Sequence, residues 1–148
     1  MLVETIRDSI MITVNGATTS QHDYAESMAI FVCRKFNIYP EIEINFRRLT
    51  NDQSVGGCVQ LDDGEYEIDI KRSLRLREML TTLAHELVHV KQYEHGELTQ
   101  TSNRGCDYWD RPSEIEAHGR EHGLFIMWAE EHNLSHKKWT QRGLEKHG

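Results

Sequence analysis

The sequence predicts an α+β domain, and three observations carry that expectation. Stretches such as "IMITV" and "EIEINFRRL" read as short strands, the second alternating apolar and polar residues at period two. Other stretches, above all "LRLREMLTTLAHELVHVKQY", carry good helix formers with no Gly or Pro. These segments follow the order strand, helix, strands, helix, helix, and 148 residues are enough for one domain, 1–148, with a real core.

Taken in order, "IMITV" is a short strand and "NGATTS" the turn that leaves it. Ser20, with Asp23 three residues on, is a candidate N-cap for a helix whose apolar positions are Tyr24, Met28, Phe31, Val32 and Phe36. Pro40 follows, and then the half-buried strand "EIEINFRRL". "SVGGCVQL" and "EYEIDIKR" flank Asp62-Asp63-Gly64 and should pair as a hairpin. Gly56-Gly57 mark a bulge, a close backbone approach or a plain irregularity at the strand end. Ser73 can cap the next helix, and Gly96 supplies its stop. "ELTQTSNRGCDYW" reads as loop, and a last long helix runs from Ser113 to about His132, with a polar, Lys-rich tail beyond.

Composition excludes several classes. A formal net charge of −7 argues against a general nucleic-acid surface, which needs clustered Lys and Arg. "KRSLRLR" is the one basic strip, and it reads as the solvated first turns of a helix. No segment approaches the ~18 apolar residues that cross a bilayer. The N-terminal stretch has acids mixed into it and does not read as a signal peptide. Cys33, Cys58 and Cys106 are scattered and odd in number, so they form neither a disulfide framework nor a zinc ribbon. A reducing, cytoplasmic setting is expected.

The chemistry concentrates in His85-Glu86-Leu87-Val88-His89. On a helix, residues four apart share a face, so His85 and His89 can offer imidazole nitrogens to one metal. Glu86 lies about 100° round from His85, placed to take a proton from water rather than to ligate. Zn²⁺ is the expected cofactor, since it lowers the pKa of bound water to about 7. Nine histidines and sixteen glutamates give such a match by chance with an expectation on the order of 0.06. The mid-helix setting after a hairpin strengthens it, because two buried imidazoles without partners would be costly on so apolar a helix.

The third ligand has three candidates. His95 gives the histidine spacing of H-E-x-x-H-x-x-G-x-x-H, but Gln92 stands where that pattern needs glycine. A helix running to Gly96 puts His95 about 15 Å from His85, where it would meet terminal helical carbonyls instead. "DYWDRPSEIEAHGREHGLF" offers better. Ser113 and Glu116 have capping-box spacing after Pro112. With Glu114 at zero phase, His118, Phe125 and Ala129 fall within about 60°, while Glu116 points about 160° away from His118. Glu114 is therefore the favoured third ligand, and Glu116 is expected to face outward and serve the cap. His118 is expected to hydrogen-bond a ligating histidine or Glu114, or to ligate itself. The plainer alternative for either residue is a satisfied core or cap side chain, and His122 reads as an ordinary partly buried histidine.

With these residues in place, the chain resembles the zincin-like metallopeptidases, specifically compact gluzincins and SprT-like proteins, including small phage-encoded ones. The resemblance runs from about Thr50 to Trp128, and its most specific parts are "HELVH" and "RPSEIEAHGRE". In gluzincins the second helix carries Glu-x-x-x-Asp, with the Glu on zinc and the Asp orienting a zinc-bound histidine. Here Glu114 matches, with His118 in the Asp position. In SprT-like proteins a His-Gly in a later helix supplies the third ligand, and His118-Gly119 is similar to it. Their usual zinc ribbon is absent. The resemblance implies a small antiparallel or mixed sheet packed on the motif helix, a second ligand-bearing helix, and an edge strand that holds an extended polypeptide substrate.

The expected function is a zinc-dependent peptidase in which His85, His89 and Glu114 hold the metal and Glu86 is general base, then acid. An oxyanion stabiliser is required, and Tyr108 is a candidate. The alternatives are a non-proteolytic zinc amidase and a catalytically silent binding module.

Overall fold

Alternation of apolar side chains sets the sheet. In the computed structural model, which describes residues 9–49, 55–99, 105–108 and 111–141, the strands are β1 (Met11–Asn15), β2 (Glu41–Arg47), β3 (Gly56–Asp62) and β4 (Glu65–Lys71). Their order is β1-β2-β4-β3. β1, β2 and β4 run parallel, and β3 is antiparallel to β4. Ile42, Ile44 and Phe46 of β2 and Tyr66, Ile68 and Ile70 of β4 are buried on one face. The opposite face carries exposed Glu41, Glu43 and Glu65, and register puts Glu41 beside Glu65 and Glu43 beside Glu67. Asp63-Gly64 closes the hairpin, with Gly64 at a φ of 76° that suits glycine.

Helix α1 (Thr19–Phe36) connects the parallel pair β1 and β2, while α2 (Leu76–Glu94) and α3 (Pro112–Glu131) follow the hairpin. α2 packs against the sheet, α1 and α3, and every residue from Met79 to Gln92 except Thr82 is buried. A helix covered on so many sides has nowhere to put its polar groups except against other protein groups. α3 is anchored by fully buried Phe125 and Trp128, each worth roughly 1.5–3 kcal/mol of burial. Trp128 meets Tyr24 edge-on with ring centres 5.8 Å apart and donates its indole N–H to Ser27 Oγ at 2.9 Å. Trp139, in a short 3-10 turn at Lys138–Thr140, packs 5.5 Å from Tyr24. No described helix is long and apolar enough to cross a membrane.

The helix starts differ from expectation. Thr18, not Ser20, caps α1, and Gln21, not Asp23, completes the capping box. Arg75, without a side-chain cap, precedes α2, because Ser73 belongs to the turn leaving β4, where Arg72 N–H donates to Arg47 O at 2.8 Å. "KRSLRLR" thus divides into a strand end and turn at Lys71, Arg72 and Ser73, a two-residue link, and the start of α2 at Leu76. Its Arg77 turns inward, donating to Thr140 O at 2.7 Å and lying over the Phe125 ring at 4.9 Å. At α3, Pro112 takes the first helical position, which its fixed φ and missing N–H suit. Ser113 is therefore buried inside the first turn, and the Ser113–Glu116 capping box does not form. The expected loop 97–109 lies only partly within the described residues, and most of the tail lies outside them.

Glu116 also departs from expectation, since it faces α2. It accepts from Lys91 at 2.6 Å, Gln92 at 2.9 Å and Arg120 at 2.7 Å. Burial pushes its carboxyl up, but these hydrogen bonds prevail and bring it down from 4.5 to about 2. A depressed carboxylate adds stability that is fully present above 4.5 and lost as pH falls towards 2. Glu116→Gln should therefore cost about 1–3 kcal/mol at pH 7, shrinking as chemical denaturation is repeated through pH 4 to 2. A cost independent of pH would rule out an ionic origin.

Candidate metal centre

α2 presents His85 and His89 one turn apart, both buried, towards the first turn of α3. There Glu114 meets both rings. Its Oε1 is 2.9 Å from His85 Nε2, and its Oε2 is 3.0 Å from His89 Nε2. The far side of each ring is also held. His85 Nδ1 is 2.8 Å from Glu121 Oε1, and His89 Nδ1 is 2.8 Å from Gln92 Oε1. Gln92 is fixed in turn, its amide donating to Ser113 O at 3.0 Å and Glu116 Oε1 at 2.9 Å. An acceptor at each Nδ1 makes that nitrogen an N–H donor, so a metal that displaced the two Nε2 protons would meet both Nε2 atoms beside Glu114.

Two imidazoles and a carboxylate form a zinc donor set. Around a tetrahedral zinc, neighbouring ligand atoms lie about 3.3 Å apart. In this structure one ligand atom from each of the three residues lies within 4.8 Å of the others, close enough for one ion to bridge them. His85, His89 and Glu114 fit the metal. A second cluster, His85 with His118 and Glu121, shares His85. A neutral imidazole has one lone pair, so His85 cannot serve both clusters at once.

The same contacts govern protonation. Burial opposes charge on His85, but hydrogen bonds to Glu114 and Glu121 outweigh it and raise the ring from 6.5 to about 10. His89 is raised for the same reasons, with Glu114 and Gln92 as partners. Burial works against the Glu114 carboxylate, yet its bonds to His85 and His89 hold it well below the usual range. Protons and a metal thus compete for the two Nε2 positions. Glu86 moves the other way, since burial pushes its carboxyl up and His85 and His89 offset only part of that.

Gly56 explains how the edge strand comes so near. A Cβ there would sit 2.8 Å from Thr82 Cγ2, 3.0 Å from Asp69 O and 3.5 Å from Glu86 Oε2. Of the readings open for Gly56-Gly57, the close backbone approach holds at Gly56, while the register irregularity lies at Gln60/Asp62.

Of the roles open to His118, the hydrogen bond to Glu114 does not form, while ligation beside His85 and Glu121 stays open. His118 lies 4.0 Å from Glu114 Oε1, beyond hydrogen-bond distance, and its ring packs 4.5 Å from that of His85. Its Nε2 is 3.1 Å from the Tyr108 hydroxyl, which is itself 2.9 Å from Glu114 Oε1. Burial and the bond to Glu114 push the Tyr108 phenol above its ordinary value, so it stays a neutral O–H donor. His95 caps the end of α2, away from the centre, and contacts Phe36 O at 3.2 Å, a carbonyl of α1 rather than of its own helix.

Glu121 and Gln92 escaped the sequence reading. Glu121 sits seven residues after Glu114, two turns on and within about 20° of its phase. It also belongs to "HGREH", the reverse order of the His-Glu-x-x-His signature. Gln92, three residues after His89, lies on the same helical face. Glu121→Ala should lower zinc affinity about 10–100-fold with the fold retained, as loss of a histidine-orienting carboxylate does. Unchanged affinity in a competitive chelator titration would deny Glu121 that role. No protein-family model, curated protein or solved structure matches the chain.

Proposed function

We propose that the protein is a zinc-dependent peptidase of the zincin-like type, related in layout to compact gluzincins and SprT-like proteins. The observation that carries this reading is the convergence of His85 Nε2 and His89 Nε2 on the Glu114 carboxylate, with both opposite ring nitrogens held. Zinc bound there would supply Lewis-acid polarisation and bring a water's pKa to about 7. Glu86, buried beside the pair and with its carboxyl pushed up, takes the proton of the attacking water and returns it to the leaving amine. Glu121 and Gln92 keep the two rings from turning.

An extended polypeptide is the substrate this layout favours. β3 pairs with β4 alone among the described strands, so its outer edge can accept another strand. That edge begins at Gly56, beside Glu86, and continues through exposed Val59 and Leu61. A cavity of about 240 Å³, lined by Val55, Thr81, Thr82 and His122 among others, lies one helical turn from His85 and suits a substrate side chain. The open edge favours a peptide over the small amide of a non-proteolytic amidase. A cytoplasmic setting fits the three free cysteines.

The test is elemental analysis joined to digestion of a peptide library. About one zinc per chain and cleavage at internal peptide bonds are expected. Folded protein prepared without chelators and free of transition metal would sink the site. Zinc-loaded protein that leaves the library intact would leave the amidase or the silent binding module.

A further inference from the structure

We infer that the groove between α1 and the end of α3 docks a second copy of this chain, giving a two-fold dimer. The groove measures about 860 Å³, and Ile30, Phe31 and Met127 give it an apolar lining. Arg34 and Lys35 stand on its α1 wall, and Glu130 and Glu131 stand on its α3 wall. On α1, Ser27, Ile30, Phe31, Arg34 and Lys35 recur at spacings of three and four residues. They form one continuous stripe of the helix, next to the stripe that fills the core.

All four wall charges are exposed, and none of them makes an ion pair among the described residues. Glu130 and Glu131 also sit at the unfavourable end of their helix. Carboxylates there meet the negative end of the α3 dipole, and its last turn holds no basic residue. Cations brought from outside would relieve that cost. The polar side chains in the groove, by contrast, are already satisfied. Trp128 Nε1–H donates to Ser27 Oγ at 2.9 Å, His132 Nε2 lies 3.2 Å from Ser27 Oγ, and His132 Nδ1 lies 2.8 Å from Trp128 O. A carbonyl only accepts, so Nδ1 carries the ring proton and Nε2 of the neutral ring accepts from the Ser27 hydroxyl. Apolar side chains laid over the groove therefore strand none of these atoms.

A two-fold axis running along the groove satisfies both walls at once. It lays α1 of each copy on α3 of the other, because a two-fold interface brings patch i to j and j to i. Arg34 and Lys35 of one copy then face Glu130 and Glu131 of the second, and the same pairing forms on the other side. Ile30, Phe31 and Met127 pack between the two sets of charges, where the flexible thioether of Met127 fits an irregular gap. A different protein would need two opposite walls in this order, which a second copy already has. The metal ligands stay clear, since Glu121 precedes Glu130 by nine residues, about 14 Å along α3. The dimer thus stands or falls apart from the peptidase reading.

The experiment is sedimentation of the full chain across micromolar concentrations, at low and high salt. Wild type should sediment at twice the chain mass, and added salt should weaken the association by screening the wall charges. Arg34→Glu/Lys35→Glu makes both walls acidic, and Glu130→Lys/Glu131→Lys makes both basic. Each double variant should self-associate roughly 100-fold more weakly, because like charges then face each other. Mixing the two should restore a dimer, since each supplies the walls the other lacks, and the variant with all four changes should dimerise alone. Recovery on mixing needs two folded chains, so a misfolded variant cannot imitate it. A wild type that stays single at every concentration would overturn the inference and leave the groove to another protein. A dimer indifferent to both charge reversals would place the interface elsewhere, and a mixture that fails to associate would overturn the pairing as well.

Discussion

Glu86→Gln should cut peptide turnover by roughly 10³-fold while zinc stays bound, because general-base catalysis contributes about 10²–10⁴-fold. The amide has nearly the shape of the carboxylate and fits the same buried space between α2 and β3. Burial already disfavours charge on Glu86, so a neutral group there removes no stabilising ion and should not unfold the site. Only the capacity to take a proton disappears. Full activity in the variant would move the chemistry elsewhere. Simultaneous loss of zinc and activity would mean that Glu86 supports the ligands rather than the reaction.

Glu114 should have the larger effect on the metal itself. Among the described residues it is the one carboxylate that touches both Nε2 atoms, so Glu114→Gln exchanges the charged member of the proposed ligand set for a neutral amide. Zinc affinity should fall well beyond the ~10–100-fold that follows loss of a ligand's hydrogen-bond partner. His95→Ala is the matched control. His95 sits at the end of α2 against Phe36 O, and its removal should leave zinc affinity and activity intact. If chelator competition instead shows His95→Ala as damaging as His89→Ala, with Glu114→Gln unaffected, a metzincin-like arrangement replaces this one.

What could be read from the sequence was whatever a single element encodes by itself. The spacing of His85 and His89, the inward phase of Glu114 and the alternation of β2 and β4 are local periodicities, and the structure places these residues accordingly. Glu116 was misjudged because its direction depends on Lys91 and Gln92, which belong to another helix. Glu121 and Gln92 were missed for a similar reason, since a side chain that secures a histidine ring is recognised only when the ring's free nitrogen is located. Helix starts shifted where two adequate caps competed within a few residues, as Thr18 and Ser20 do. Strand order was beyond reach as well, because the parallel pairing of β2 with β4 bypasses the strand between them in sequence.

The face of the sheet that carries Glu41, Glu43 and Glu65 bears a cost in charge. Glu41 beside Glu65 and Glu43 beside Glu67 put like charges on neighbouring parallel strands, an arrangement that costs stability. Asn15 and Asn45 relieve part of it by donating to Glu43 and Glu67. A second sheet laid on this face, about 10 Å away, would have to strip water from those carboxylates. Ionic strength therefore acts on this surface in two opposed ways. Screening over a distance of about 8 Å at physiological salt eases repulsion between the strands and steadies the sheet. The same screening would lower the electrostatic barrier to stacking two such faces together.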